Sequence, residues 1–162
     1  LLYAPLSAAE VTIAVSLAAV TRSVMIAVIS IITFMLLFEI HIVNYLTLII
    51  FTFLSSFILG NVGIIAGLWS EKFDNMATVT NFIIVPLSFL SGTFYTIDKL
   101  PSFLQTISEF NPFFYMIDGF RYSFIGNADG SITIGLIYLS ILSVVTWFVT
   151  YLLYKRGYKI KS

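Results

Sequence analysis

Four long apolar stretches dominate this chain and restrict what it can fold into. They run from about Val11 to Phe38, from Leu46 to Trp69, from Met76 to about Phe94, and from Ile132 to Tyr154. A helix needs about 20 consecutive apolar residues to cross a bilayer, and only helices and closed barrels satisfy their backbone hydrogen bonds there. The sequence therefore predicts an all-α integral membrane protein with four transmembrane helices, in a single domain over residues 1–162.

Composition supports a membrane location and excludes several functional classes. Hydrophobic residues make up 59% of the 162 and charged residues only 10%, against roughly 25% charged in a typical soluble domain. The net charge is zero, so nothing electrostatic favours nucleic acid as a partner. With no cysteine there is no disulfide framework, thiolate nucleophile or cysteine metal site. A first residue of leucine rather than methionine suggests an N-terminally truncated fragment.

Polar residues mark the ends of the predicted helices. Ser7 and Glu10 match a capping box, in which each side chain accepts a hydrogen bond from the backbone N–H of the other residue. This motif predicts that the first helix begins there. Further caps are available from Asp74 or Asn75 for the third helix and from Asp129 or Ser131 for the fourth.

Small residues at three- or four-residue spacing predict faces on which helix backbones approach closely. Two such stripes consist of Ala19, Ser23 and Ala27 in the first helix and of Gly60, Gly63 and Gly67 in the second. They fit packing within one subunit or contact between subunits. Arg22 lies about three turns into the first helix, where a charge is costly. It either snorkels to the cytoplasmic interface or faces a cavity or a paired group.

The distribution of cations predicts the orientation. Lys155, Arg156, Lys159 and Lys161 follow the last helix, and the positive-inside rule places such a cluster in the cytoplasm. Both ends of the chain are then expected in the cytoplasm, with residues 94–130 outside. Lys99 and Arg121 count modestly against this orientation.

The segment between Pro86 and Arg121 is irregular where a simple span would be continuous. A proline interrupts the apolar run at Pro86, and turn signals follow at Ser91-Gly92, Leu100-Pro101 and Asn111-Pro112. Helical spacing predicts a short amphipathic helix with Phe103, Leu104, Ile107 and Phe110 on its apolar face. Asn111 as N-cap with Pro112 at N1 then starts a second short helix, with Phe113, Ile117, Phe120 and Phe124 on one face. Together they predict an external re-entrant helical hairpin.

Asp118 and Arg121 lie three residues apart on the second short helix, close enough to form an ion pair. Two interpretations remain open at this point. The two charges neutralise each other within the hairpin, or they contact the head group of a transported molecule.

Taken in order, these motifs resemble the signature of type-2 ABC transporter permeases, the membrane subunits of bacterial ABC exporters related to drug, polysaccharide and nodulation-factor exporters. The resemblance rests on Pro86, Ser91, Gly92, Pro101, Asn111, Pro112, Asp118, Gly119 and Arg121. Ala4, Pro5, Leu6 and Ser7, with Glu10, also resemble the cytoplasmic segment that precedes the third helix in that family. The resemblance implies that these four helices are the C-terminal part of a subunit of about six.

The resemblance also implies a mechanism and partners. Such permeases pair as dimers, here expected as a homodimer, and move an amphiphilic or hydrophobic substrate out of the cytoplasm across the bacterial inner membrane. Energy comes from separate ATPase subunits, which are expected to dock on Ala4, Pro5, Leu6, Ser7 and Glu10, with the loop from Glu71 to Asn75 a weaker candidate. ATP then binds the partner, and no cofactor is expected on this chain; its sequence contains no Gly-x-x-x-x-Gly-Lys-Ser/Thr phosphate loop.

Other functional classes have less support in the sequence. His41 is the single histidine, so a His-Glu-x-x-His zinc site is excluded, and no Gly-x-Ser-x-Gly nucleophile motif occurs. No catalytic or metal site is therefore predicted. An ion-coupled secondary transporter or a non-transporting scaffold remains the alternative. Ion-coupled carriers usually place ionisable groups near the membrane midplane, whereas the third helix offers only Asn81 and Pro86 there.

Overall fold

A computed structural model describes residues 7–38, 40–70, 77–93 and 101–156. Within these ranges the chain forms helices and no strand, which confirms the predicted all-α class. The helices are α1 Ala8–Leu37, α2 Tyr45–Trp69, α3 Ala77–Phe89, α4 Ser102–Glu109, α5 Pro112–Ile125 and α6 Ile132–Lys155. One turn of π-helix over Thr80–Ile84 lies inside α3.

Three of these helices, α1, α2 and α6, are long and apolar enough to cross a membrane. Helix α3, at 1.5 Å of rise per residue, is about 20 Å long, short of the roughly 30 Å hydrocarbon core. The predicted ends of its span, Met76 and Phe94, lie outside the described residues. The count of four spans therefore stays a prediction, and three spans are supported.

Side-chain caps fix the helix ends as the sequence suggested. The Ser7 backbone N–H donates to Glu10 Oε2 at 2.8 Å, and the Glu10 N–H donates to Ser7 Oγ at 3.3 Å, so the predicted capping box is confirmed. At α6 the cap is Ser131, whose hydroxyl accepts from the Ile134 N–H. The other candidate, Asp129, forms an ion pair with Arg121 instead. Asp74 and Asn75 lie outside the described residues.

Helix α2 occupies the centre of the fold and packs against α1, α5 and α6. The buried core consists of Phe51 and Ile58 from α2, Met116 from α5 and Leu139 from α6. Gly119 on α5 makes the closest approach, because a Cβ atom at this position would lie 2.0 Å from the Phe51 ring. Only glycine allows α5 to sit this close to α2.

The contact between α1 and α2 combines small residues with a buried polar pair. A Cβ atom on Gly60 would lie 2.8 Å from Ala19 Cβ, so these members of the two predicted stripes meet. Beside them, Ser16 Oγ donates to Asn61 Oδ1 at 3.1 Å, and both residues are fully buried. A Cβ atom added to Gly63 would meet nothing within 4 Å, and Gly63 and Gly67 are both exposed. Gly60 is therefore the member of the glycine stripe that meets α1, whereas Gly63 faces open space.

Large apolar side chains cover the outer faces of the long helices. Ile29 and Leu36 on α1, Ile49 on α2 and Val144 on α6 are between 63% and 81% exposed. Soluble proteins rarely expose apolar patches of this extent. These faces are suited to lipid, in agreement with the sequence.

We expect Gly119→Ala to destabilise the protein by about 1–3 kcal/mol, the usual range for an overpacked core. The added methyl group would collide with the Phe51 ring, so Phe51→Leu in the same chain should restore part of the loss. Thermal unfolding in detergent measures both effects. Gly63→Ala is the matched control, since its Cβ meets open space. Equal stability of the two alanine variants would contradict the close approach of α5 to α2.

Candidate functional site

Helix α3 is distorted around Pro86 and then ends in a tight turn. The Val85 N–H donates to the Thr80 carbonyl in a π-helical bond. Proline lacks an N–H, and its ring crowds the carbonyl four residues earlier, so a widened turn just before Pro86 relieves that contact. After the helix, Gly92 has φ +78°, a conformation that glycine adopts without strain.

Three side chains from the following helices reach the carbonyls at the end of α3. The last carbonyls of an α-helix have no N–H partner within the helix. The contacts are Asn111 Nδ2 to the Leu87 oxygen at 2.6 Å, Ser108 Oγ to the Leu90 oxygen at 2.9 Å, and Arg121 Nη2 to the Gly92 oxygen at 2.6 Å. The end of α3 is therefore capped by residues that lie far along the chain. We call these three donors and their acceptors the α3 cap.

Asn111 has two roles in this arrangement. Its amide nitrogen donates to α3, while its Oδ1 accepts from the Phe113 N–H at 3.0 Å. The second contact is the predicted N-cap of α5, with Pro112 in the first helical position, and it is confirmed. Because Asn111 is only 2% exposed, a single buried amide both begins α5 and terminates α3.

Arg121 connects the α3 cap to two carboxylates. Besides the Gly92 carbonyl, its guanidinium contacts Asp118 Oδ1 at 3.5 Å and makes a shorter contact with Asp129 Oδ2. The structure thus places the predicted partner Asp118 within ion-pair distance. Asp129 is the closer partner, and no local spacing in the sequence pointed to it.

Asp118 holds the loop that leads into α6. It is 2% exposed, and its two oxygens accept from the backbone N–H groups of Asp129 at 2.7 Å and Gly130 at 2.9 Å. A buried carboxylate is costly unless hydrogen bonds and a charge compensate it. Here both are present, so the interpretation of a structural ion pair within the hairpin has direct support.

Two residues of the predicted apolar face of helix α4 point outward, whereas the other two, Leu104 and Ile107, are partly buried. Phe103 and Phe110 are 73% and 74% exposed, whereas Ser108 is fully buried against α3. The predicted amphipathic helix is present, and its exposed phenylalanines are suited to lipid. The fully buried residue of α4 is the polar Ser108, because its hydroxyl donates to the Leu90 carbonyl.

The four apolar residues that the sequence placed on one face of α5 are not its most buried positions. Phe113, Ile117, Phe120 and Phe124 are only partly buried, while the buried positions are Phe114, Met116, Asp118, Gly119 and Ser123. The interior of α5 therefore combines two large apolar side chains, Phe114 and Met116, with small residues and the hydrogen-bonded Asp118. Apolar periodicity alone could not show this preference.

Aromatic residues attach the hairpin to α6. The Tyr138 hydroxyl donates to the Phe110 carbonyl at 2.9 Å, and its ring lies 5.0 Å from the Tyr115 ring. Burial, with smaller contributions from Glu109 and Tyr138, raises the pKa of the Tyr115 phenol. Tyr115 contributes to this contact through the packing of its ring.

The sequence-predicted residues fall into two groups. The external set lies at the end of α3 and at the starts and along the bodies of α4 and α5. Its members are Pro86, Ser91, Gly92, Pro101, Asn111, Pro112, Asp118, Gly119 and Arg121. Of the predicted docking set, Ala4, Pro5 and Leu6 lie outside the described residues, as does the loop 71–75. Ser7 and Glu10 are exposed at the start of α1.

Comparisons with known proteins agree with this architecture. A family model described as ABC-2 type transporter matches residues 1–125. The inner membrane transport permease YadH of Escherichia coli K12 is 35% identical over 100 residues, which cover 62% of this chain and 39% of that protein. Nodulation protein J of Rhizobium leguminosarum bv. viciae is 27% identical over 96 residues, covering 59% and 37%. The matched stretch thus spans less than half of either relative. No solved structure matches the chain.

We expect Asn111→Ala to destabilise the protein by about 1–3 kcal/mol, because the Leu87 carbonyl would be left buried without a donor. Asn111→Asp separates the two roles of this residue: the carboxylate keeps the N-cap but cannot donate to Leu87. It should therefore lose nearly as much stability as the alanine variant. Thermal unfolding in detergent measures this, with the exposed Asn127→Ala as control. An aspartate variant as stable as the native chain would show that the bond to Leu87 contributes little.

Arg121→Ala should lower stability by about 2–3 kcal/mol, the range for hydrogen bonds to charged groups, since Gly92, Asp118 and Asp129 lose their shared donor. Arg121→Lys should be intermediate, because an ammonium lacks the forked geometry of guanidinium. Unfolding midpoints and the yield of membrane-inserted protein give the readout. Arg156→Ala, which removes an exposed charge, is the control. Native stability and native yield of the Arg121→Ala variant would refute the role assigned to this residue.

Proposed function

The chain belongs to the ABC-2 type transporter family, and on that premise we propose that it is the membrane-spanning permease part of an ABC exporter. It would move an amphiphilic or hydrophobic substrate out of the cytoplasm across the bacterial inner membrane. The family match over residues 1–125 carries this proposal. The three long apolar helices and the hydrogen-bonded helical unit beside them support it.

In this proposal the chain supplies the pathway and a separate ATPase supplies the energy. No catalytic site is assigned to the permease, and ATP would bind the partner subunit. The docking element would consist of Ala4, Pro5, Leu6, Ser7 and Glu10. In support, the Glu10 carboxylate is exposed and held in place by the Ser7 N–H and hydroxyl, so it presents a fixed negative charge at the start of α1.

The positive-inside rule gives the orientation we propose. The start of α1 and the end of α6 would face the cytoplasm, and the hairpin of α4 and α5 would close the outer side of the pathway as a re-entrant element. A second permease subunit, most simply an identical one, would complete the pathway. The cations Lys155 and Arg156 at the end of α6 support this orientation.

The full-length subunit should co-purify with an ATPase subunit and alter its ATP hydrolysis rate. Glu10→Gln tests the docking element, because glutamine preserves the capping box while removing the charge. We expect this variant to weaken the complex about tenfold, equivalent to about 1.4 kcal/mol. Affinity measured in detergent at low salt gives the result, with Arg156→Gln as a control for non-specific charge effects.

Two outcomes of this experiment are informative. An intact permease that binds no ATPase would contradict the proposed function. A complex that forms with equal affinity in the Glu10→Gln variant would leave the proposed function standing but remove Glu10 from the docking element.

A further inference from the structure

Arg22 lies halfway along α1 and has no partner in the part of the chain that the structure describes. The Arg22 side chain is exposed, and it forms no hydrogen bond or ion pair with any described residue. At 1.5 Å per residue it is about 20 Å from the start of the helix. A cation at that depth in a bilayer is costly and usually functional.

A groove of about 740 Å³ opens between α1 and α2 beside Arg22. Its polar lining consists of Arg22, Ser23, Thr52, Ser55 and Ser56, and Phe120 of α5 closes one side. The groove also lies near the middle of α2, which runs from Tyr45 to Trp69. Positive charge and hydroxyl groups therefore lie beside one another about halfway along both helices.

Ser55 provides a second, independent sign that this groove is a binding site. The residue is only 7% exposed, yet its hydroxyl has no hydrogen-bond partner among the described residues. An unsatisfied buried hydroxyl costs about 1–3 kcal/mol. The hydroxyl oxygen is itself buried in the rotamer shown, so it must turn to another of the three staggered rotamers to reach an acceptor in the groove.

The remaining lining of the groove is apolar. Val15, Ile26 and Leu59 border it, and a neighbouring hollow of about 700 Å³ continues along α1 past Met25 and Ile29. An acyl chain could follow this surface away from Arg22. The groove thus offers a site for an anionic head and a path for an apolar tail.

We propose that this groove binds the anionic head group of an amphiphile, with Arg22 pairing a phosphate or carboxylate and Ser55 donating to it. The inference rests on the proposed function, because it names the chemical class of the exported substrate. Head groups of resident lipids lie at the interface, about 15 Å from the midplane of a 30 Å core. With the middle of α1 near the bilayer midplane, as in the proposed orientation, an anion beside Arg22 would belong to a molecule in transit.

The test uses full-length permease in nanodiscs of phosphatidylcholine. Two fluorescent probes with identical acyl chains, lysophosphatidic acid and lysophosphatidylcholine, are compared by equilibrium binding. We expect the anionic probe to bind at least tenfold more tightly, and we expect Arg22→Gln to abolish this preference. Ser55→Ala should weaken binding of the anionic probe about threefold to tenfold. Arg156→Gln, which removes the same charge at the end of α6, should keep the native preference.

Several results would overturn the inference. Equal affinity for the two probes, or an unchanged preference in Arg22→Gln, would do so directly. If Arg22→Gln instead released the second permease subunit without affecting the probe, a protein carboxylate would be the partner. If phosphatidylglycerol in the nanodisc displaced the probe at ordinary bilayer content, a resident lipid would be the occupant. Where Arg22→Gln lowers the yield of folded protein, Arg22→Lys and Ser55→Ala decide the question.

The binding assay contains no ATPase, so its result tests the groove and does not test the proposed function. A permease that binds an ATPase but shows no preference for the anionic probe would refute only the groove. A permease that prefers the anionic probe but binds no ATPase would refute only the exporter assignment.

Discussion

The hydrogen bonds at the end of α3 are the interaction on which the rest of the structure depends. A backbone carbonyl without a donor costs several kcal/mol in an apolar environment. The Leu87, Leu90 and Gly92 carbonyls receive their donors from α4 and α5, so the end of α3 and the position of the hairpin form one unit. Asp118 extends this unit to the loop before α6, and Gly119 brings it against Phe51 in the core. A change at any of these contacts is therefore transmitted to the others.

This connectivity has a consequence for transport. Because Arg121 joins the Gly92 carbonyl to carboxylates on α5 and on the following loop, movement of the end of α3 would carry the hairpin with it. Separating α3 from α4 and α5 would require breaking these charge-assisted hydrogen bonds. The groove at Arg22 lies elsewhere, at mid-depth between α1 and α2. In the proposed exporter, the groove and the unit formed by α3, α4 and α5 would act at different points of the pathway.

Local signals in the sequence predicted the helix ends well. The capping box of Ser7 and Glu10 and the Asn111-Pro112 start of α5 act over three residues or fewer, so their partners are visible in the sequence. The buried face of α5 and the contact of Arg121 with Asp129 depend on packing between helices and could not be read from periodicity. Ser108 shows the same limit, since its acceptor, Leu90, belongs to another helix. For Arg22 the sequence left two interpretations open, and the groove that Arg22 and Ser55 line depends on the packing of α1 against α2.

The most direct test of the account is a structure of the full-length subunit in a lipid nanodisc, determined by electron cryomicroscopy. The account predicts that α3 ends before Gly92, with the Asn111 amide on the Leu87 carbonyl and the Arg121 guanidinium between the Gly92 carbonyl and Asp129. An α3 that continues as an unbroken helix through Gly92, with Asn111 and Arg121 pointing away from it, would contradict the central claim.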